Sequence, residues 1–129
     1  MPPVKPSKRA YDAGATCVHI HGREDDGSPS WRLEVFEEIA AETRALCPII
    51  LNFSTGALDD DISMQEAIIQ KVRPEIAALN MGTMNYAKYS RSKKQYVFDM
   101  VFPNTLTKIQ RLLNVMNDPA GGTPYVRPI

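Results

Sequence analysis

The sequence predicts an α/β chain in which parallel strands alternate with helices, and three observations predict it. Short apolar runs recur at 15–21, 49–53 and 76–81, the first of them with β-branched Thr16, Val18 and Ile20. Segments of helical periodicity separate them. Polar residues or glycine stand at the C-terminal end of each run. Continuous apolar strands belong to sheets covered on both faces, and the strand–helix–strand rhythm belongs to parallel sheets with helices outside.

Taken in order, Ser7 to Ala13 reads as the last turns of a helix stopped by Gly14, since glycine enters the left-handed region cheaply. Ala15-Thr16-Cys17-Val18-His19-Ile20-His21 is the first strand. Residues 22–30 form a loop punctuated by Asp26-Gly27 and Ser28-Pro29. From Trp31 to Leu46 the spacing is helical, with Leu33, Phe36, Ile39 and Ala40 on one face and Glu34, Glu37, Glu38 and Glu42 between them. Pro48 blocks continuation, and Ile49 to Phe53 is the second strand, followed by Ser54-Thr55-Gly56.

Met64 to Val72 is the next helix, closed by Pro74. Ile76 to Met81 is the third strand, ending in Gly82-Thr83-Met84-Asn85. Residues 86–94 are expected to be a polar loop whose basic run, Arg91-Ser92-Lys93-Lys94, is solvated. Tyr96 to Phe102 is a short strand or an irregular apolar segment. Asn104 or Thr105 then caps a last helix with Leu106, Ile109, Leu112, Leu113 and Met116 on its apolar face. Residues 1–116 are thus expected to form one partial barrel domain. Residues 117–129, with Pro119, Gly121-Gly122, Pro124 and Pro128, are expected to be a flexible tail.

Short strands with polar ends suit a (β/α)8 TIM barrel, where chemistry collects at the C-terminal ends of the strands. A full barrel needs about 250 residues, so 129 residues hold about three to four βα units. A small dinucleotide-binding sheet is the alternative, but no Gly-x-Gly-x-x-Gly follows the first strand.

Composition narrows the function. Hydrophobic residues make up 43% and charged residues 23%, which is ordinary for a globular chain. Basic and acidic residues number 15 each, so no net field argues for nucleic acid or an anionic membrane. No apolar run approaches the roughly 18 residues that span a bilayer, and the opening Met1-Pro2-Pro3-Val4-Lys5-Pro6 lacks the apolar core of a signal peptide. The two cysteines, Cys17 and Cys47, read as buried thiols of a reducing compartment. A cytoplasmic protein is expected.

His19 and His21 are the only histidines. Side chains two apart on a strand share a face, so both imidazoles emerge on one side near the strand's end. Neutral imidazoles side by side suit zinc, which takes nitrogen and sulfur donors. The plainer reading is a pair of hydrogen-bonded histidines. Nothing else in the sequence stands out as a third ligand, because Asp25, Asp26, Asp59, Asp60 and Asp61 lie in loops. Asn52, Ser54, Thr55, Gly56, Thr83 and Asn85, at the ends of strands two and three, can hold a carboxylate through hydroxyls, amides and exposed backbone. They are equally the residue types of turns and caps.

Four ordered segments resemble one family: 13–21, Asn52-Phe53-Ser54-Thr55-Gly56, 74–85 and Val101-Phe102-Pro103-Asn104-Thr105. It is the β-keto acid cleavage enzymes, typified by 3-keto-5-aminohexanoate cleavage in lysine fermentation, and the likeness runs from about Arg9 to Met116. The resemblance implies a barrel binding one Zn2+. It also implies an exchange in which a β-keto acid and acetyl-CoA give acetoacetate and a new acyl-CoA, and a homo-oligomer. His19 and His21 match the metal ligands. Ser54 or Thr55, with Gly56, Thr83 and Asn85, match residues that hold the keto acid.

The sequence also departs from the family pattern. The resemblance implies a first strand ahead of Met1, and a glutamate ligand with assisting arginine and aspartate beyond Met116. The expected fold is therefore a partial barrel without its first strand and C-terminal half, weakly active or inactive alone. The competing expectation is a non-catalytic fragment or interaction module that assembles with another chain.

Overall fold

The computed structural model describes residues 4–118 and 126–128. The chain runs α1 (Val4–Asp12), β1 (Cys17–Ile20), α2 (Leu33–Leu46), β2 (Ile50–Phe53), α3 (Ser63–Val72), β3 (Ile76–Leu79), β4 (Met84–Ser90), β5 (Gln95–Phe102), α4 (Leu106–Met116) and β6 (Val126–Pro128). Gly14 ends α1 as its position predicts: its φ is 97°, and the Ala15 N–H turns back to the Ala10 carbonyl at 2.9 Å.

β1, β2, β3 and β6 form one parallel sheet in that order. The register sets Ile20 beside Phe53, Phe53 beside Ala77, and His19 beside Asn52. Because successive side chains alternate faces, Ile20, Leu51, Phe53, Ala77 and Leu79 share one side, and all are buried. Two apolar clusters cover that side. Phe36, Ile39, Ile68 and Val72 pack with Ile20, Leu51 and Phe53, while Ile62, Ile69, Ile109, Leu112 and Met116 pack with Ala77 and Leu79. His19, Asn52, Ser54 and Ala78 fall on the opposite side.

Polar contacts fix the elements at both ends of the sheet. At the bottom, Arg44 of α2 donates to the Arg73 carbonyl at 2.9 Å and to Glu75 at 3.0 Å, and Glu75 accepts the Leu51 N–H at 3.0 Å. Arg111 of α4 grips Glu66 of α3 through two hydrogen bonds of 2.9 and 2.7 Å. Thr105, one of the two expected caps, accepts the Lys108 N–H at the start of α4.

The polar loop expected over 86–94 is corrected: 84–90 form β4, paired antiparallel with β5 through a turn at 91–94. Rings rather than buried aliphatics line this pair, with Tyr86 5.3 Å from Phe98 and 6.1 Å from Phe102, centre to centre. Such cross-strand aromatic contacts stabilise antiparallel pairs. Most of the hairpin's large side chains are exposed, among them Tyr89, Tyr96, Val97 and Val101.

Of the tail, residues 119–125 and 129 lie outside the described residues, while 126–128 run parallel beside β3 with Val126 opposite Ala77. No helix among the described residues is long and apolar enough to cross a membrane. The whole is a mixed α/β arrangement, a parallel sheet with helices against it, compatible with part of a TIM-barrel-like fold.

Candidate active site at the strand ends

A cavity of about 280 Å³ opens where β1, β2 and β3 end. His19, His21, Ser54, Gly56 and Asn80 line it on the strand-end side, above Ala78. Met84, Tyr86 and Phe102 from the base of the hairpin supply an apolar wall. The polar side follows from the sheet register: His19 lies beside Asn52, and one pleat further on His21 and Ser54 come level.

The Nε2 atoms of His19 and His21 are 3.2 Å apart, with the rings nearly perpendicular at 80°. Two nitrogens on one tetrahedral zinc, each about 2.0–2.1 Å from it, are separated by about 3.3 Å. The pair therefore fits two positions of a zinc site, and the same spacing permits an imidazole–imidazole hydrogen bond. Burial, then the neighbouring His19, then Arg23, hold the His21 pKa below its ordinary value, which favours the neutral form a metal requires. Among the described residues no group of three or more His, Cys, Asp or Glu side chains gathers to hold an ion. The pair thus supplies two donors, and any others come from outside that set.

Ser54 and Thr55 part company. Ser54 borders the cavity and accepts the Gly56 N–H at 3.4 Å. Thr55 is buried and donates its hydroxyl to the Ala78 carbonyl. Gly56 lies so close to the cavity wall that a Cβ there would sit 3.2 Å from Phe102 Cζ and 3.5 Å from Asn80 Nδ2. Thr83 does not border the cavity; its Oγ1 accepts the Asn104 N–H at 3.0 Å, and Asn104 Nδ2 donates to the Gly82 carbonyl at 3.1 Å. Asn85 is exposed, on the face of β4 opposite Met84 and Tyr86.

Sequence reasoning missed two residues, one on the cavity wall and one that ties down the backbone next to it. Asn80 borders the cavity, and its signal was parity: it lies two beyond Ala78, which is level with Ser54. Lys108 is only 5% exposed, and its ammonium donates to the Ala57 carbonyl at 3.1 Å and the Pro103 carbonyl at 3.0 Å. No pattern in α4 announces that role. Asn52, beside His19, is also buried, and its Oδ1 has no hydrogen-bond partner among the described residues. An orphaned acceptor of this kind costs roughly 1–3 kcal/mol.

A strand-end cavity joining paired imidazoles, a hydroxyl and an amide is the kind of site that parallel α/β enzymes build. The chain belongs to the β-keto acid cleavage enzyme family, whose sequence model matches residues 4–126. It is 38% identical to the 3-keto-5-aminohexanoate cleavage enzyme of Acetoanaerobium sticklandii, over 64% of this chain and 31% of that protein. It is 31% identical to the 3,5-dioxohexanoate:acetyl-CoA acetone transferase of Paraburkholderia graminis, over 90% of this chain and 42% of that one. A 3-oxoadipate:acetyl-CoA acetyltransferase of Cupriavidus necator is 33% identical over 64% of this chain and 29% of its own length. The chain therefore spans about a third to two fifths of the length of these relatives.

Proposed function

We propose that this chain forms the metal-binding and keto-acid-binding portion of a β-keto acid cleavage enzyme that exchanges acyl groups with acetyl-CoA. The overall reaction converts R–CO–CH2–COO⁻ and CH3–CO–SCoA into CH3–CO–CH2–COO⁻ and R–CO–SCoA. The observation that carries the reading is the convergence of His19 and His21 Nε2 at 3.2 Å on the edge of a strand-end cavity, in a chain of this family.

His19 and His21 would hold the ion, zinc by the nature of their nitrogen donors. When bound, a divalent metal supplies Lewis-acid polarisation of the keto oxygen, where enolate charge develops. The chain's own residues do the positioning. The Ser54 hydroxyl, which accepts from Gly56, keeps its proton for an anionic oxygen of the substrate. The Asn80 amide adds donors beside it. Gly56, with no Cβ, leaves room for the keto acid, and Met84, Tyr86 and Phe102 shield one side of the cavity from water.

Zinc titration followed by NMR of the two imidazoles tests the metal site directly. Both sets of ring resonances should shift together, and His19→Ala should abolish the shift at His21. Zinc binding indifferent to both His19→Ala and His21→Ala would overturn the assignment. Acetoacetate formation from a β-keto acid and acetyl-CoA tests the reaction.

A second reading is favoured by one observation. Among the described residues β1 pairs only with β2, so one edge of its backbone is left open, and open edges recruit strands. In that reading the chain is a non-catalytic module completed by a second polypeptide. A strict monomer by light scattering counts against it.

A further inference from the structure

The cavity at the strand ends has two unlike sides. His19, His21, Ser54 and Asn80 make one, and Met84, Tyr86 and Phe102 make the other. Residues two apart on a strand, or directly opposite across a pair, share a face, and Met84 stands opposite Phe102. The three hairpin side chains therefore project together. The Tyr86 and Phe102 rings meet edge to face at 6.1 Å, so the surface they present is continuous. None of the three belongs to either buried apolar cluster, and Met84 and Tyr86 stay 42% and 52% exposed. Accessible apolar surface gathered at a cavity suits the apolar part of a ligand. The wall is also held in place. Asn104 donates its N–H to Thr83 Oγ1 at 3.0 Å and its side-chain amide to the Gly82 carbonyl at 3.1 Å. These bonds close the hairpin just outside the Met84–Phe102 pair, so a ligand meets a preformed surface.

We infer that the hairpin wall of Met84, Tyr86 and Phe102 selects keto acids whose R group is uncharged and apolar. The inference rests on the keto-acid reading above, in which the polar side takes the keto oxygen and the carboxylate. The R group is what remains for the wall. An ammonium or a second carboxylate set against it gives up hydration. No Asp, Glu, Lys or Arg among the described residues lines the cavity to replace that loss. Ring faces attract a cation, but less strongly than the water it sheds. An alkyl R group loses nothing there and covers the exposed thioether and rings.

Two isosteric pairs test the wall. 5-Methyl-3-oxohexanoate differs from 3-keto-5-aminohexanoate in carrying a methyl in place of the ammonium. 6-Methyl-3-oxoheptanoate carries an isopropyl group where 3-oxoadipate carries its second carboxylate. Calorimetric titration should show each neutral acid binding about tenfold or more tightly than its charged counterpart. Met84 is exposed enough for Met84→Glu to keep the parent circular dichroism, and this variant should narrow or reverse the gap for the amino acid pair. Val101→Glu puts the same charge on the opposite face of the hairpin and should leave that gap nearly unchanged. A charged acid that binds the parent as tightly as its neutral isostere, or equal effects of the two glutamate variants, would overturn the inference. Acetoacetate, whose R group is only a methyl, reports the polar side by itself. Its binding with no preference within either pair removes the wall alone, whereas no binding by acetoacetate or any other acid removes the keto-acid reading and the wall with it.

Discussion

The hydroxyl of Thr55 is committed to the carbonyl of Ala78 across the β2–β3 boundary, which leaves Ser54 as the hydroxyl beside the histidines. The two neighbours should therefore fail differently. Thr55→Val leaves a buried carbonyl without its partner and should cost about 1–3 kcal/mol, read as a lower denaturation midpoint. Ser54→Ala should cost less stability but weaken acetoacetate binding about tenfold, by removing a hydrogen bond to a charged group. Equal stability losses for the two variants would contradict this division.

Gly56→Ala tests the closeness of the cavity wall. The new methyl would meet Phe102 Cζ at 3.2 Å and Asn80 Nδ2 at 3.5 Å, so the ring must yield by a few tenths of an ångström. Thermal stability should change by roughly 1 kcal/mol or less. Acetoacetate binding should fall by far more than that change in stability accounts for. Unchanged binding would show that the substrate does not lie between Gly56 and Phe102.

Acid should expose the contribution of Asp61 to the start of α3. Its carboxylate accepts from both the N–H and the hydroxyl of Ser63, and these bonds hold its pKa below the ordinary carboxylate value. A group whose folded pKa is depressed contributes stability above its unfolded pKa and loses it as pH falls through the folded value. Asp61→Ala should therefore melt below the parent at neutral pH, with the gap closing as the solution is acidified below the usual carboxylate range. A gap that stays constant down to pH 2 would refute the linkage.

Gly14→Ala isolates a backbone effect. The position has a φ of 97°, and an added Cβ would touch nothing within 4 Å, so only the left-handed conformation is penalised. A loss of about 1–2 kcal/mol is expected, against no measurable change in zinc binding. Chemical denaturation of the two proteins measures the first, and the histidine NMR titration the second.

The parallel part of the fold was legible because its signals are local. Ile76 to Leu79 is apolar on both faces, Ile49 to Phe53 is apolar but for Asn52, Pro48 and Pro74 mark helix limits, and Thr105 stands where a cap is needed. The hairpin was hidden for a physical reason. Its turn takes its left-handed residue from Lys94, at a φ of 51°, and not from glycine, and its strands stabilise each other through rings that stay largely in water. For the site, His19 and His21 could be paired from sequence by parity alone. Which of Ser54 and Thr55 borders the cavity depends on the pleat phase of β2 against β1, and that phase is set only when His19 aligns with Asn52. Thr83 and Asn85 carry the right functional groups, but their neighbours Met84 and Tyr86 hold the inward positions on β4.

Lys108 lies under all of this with one ammonium on two carbonyls, that of Ala57 next to Gly56 and that of Pro103 next to Phe102. The backbone beneath the polar bank and the backbone beneath the aromatic bank therefore share a single anchor. A ligand that pries the banks apart must strain that anchor, so the gap between them is set from below by α4 as well as by whatever enters from above.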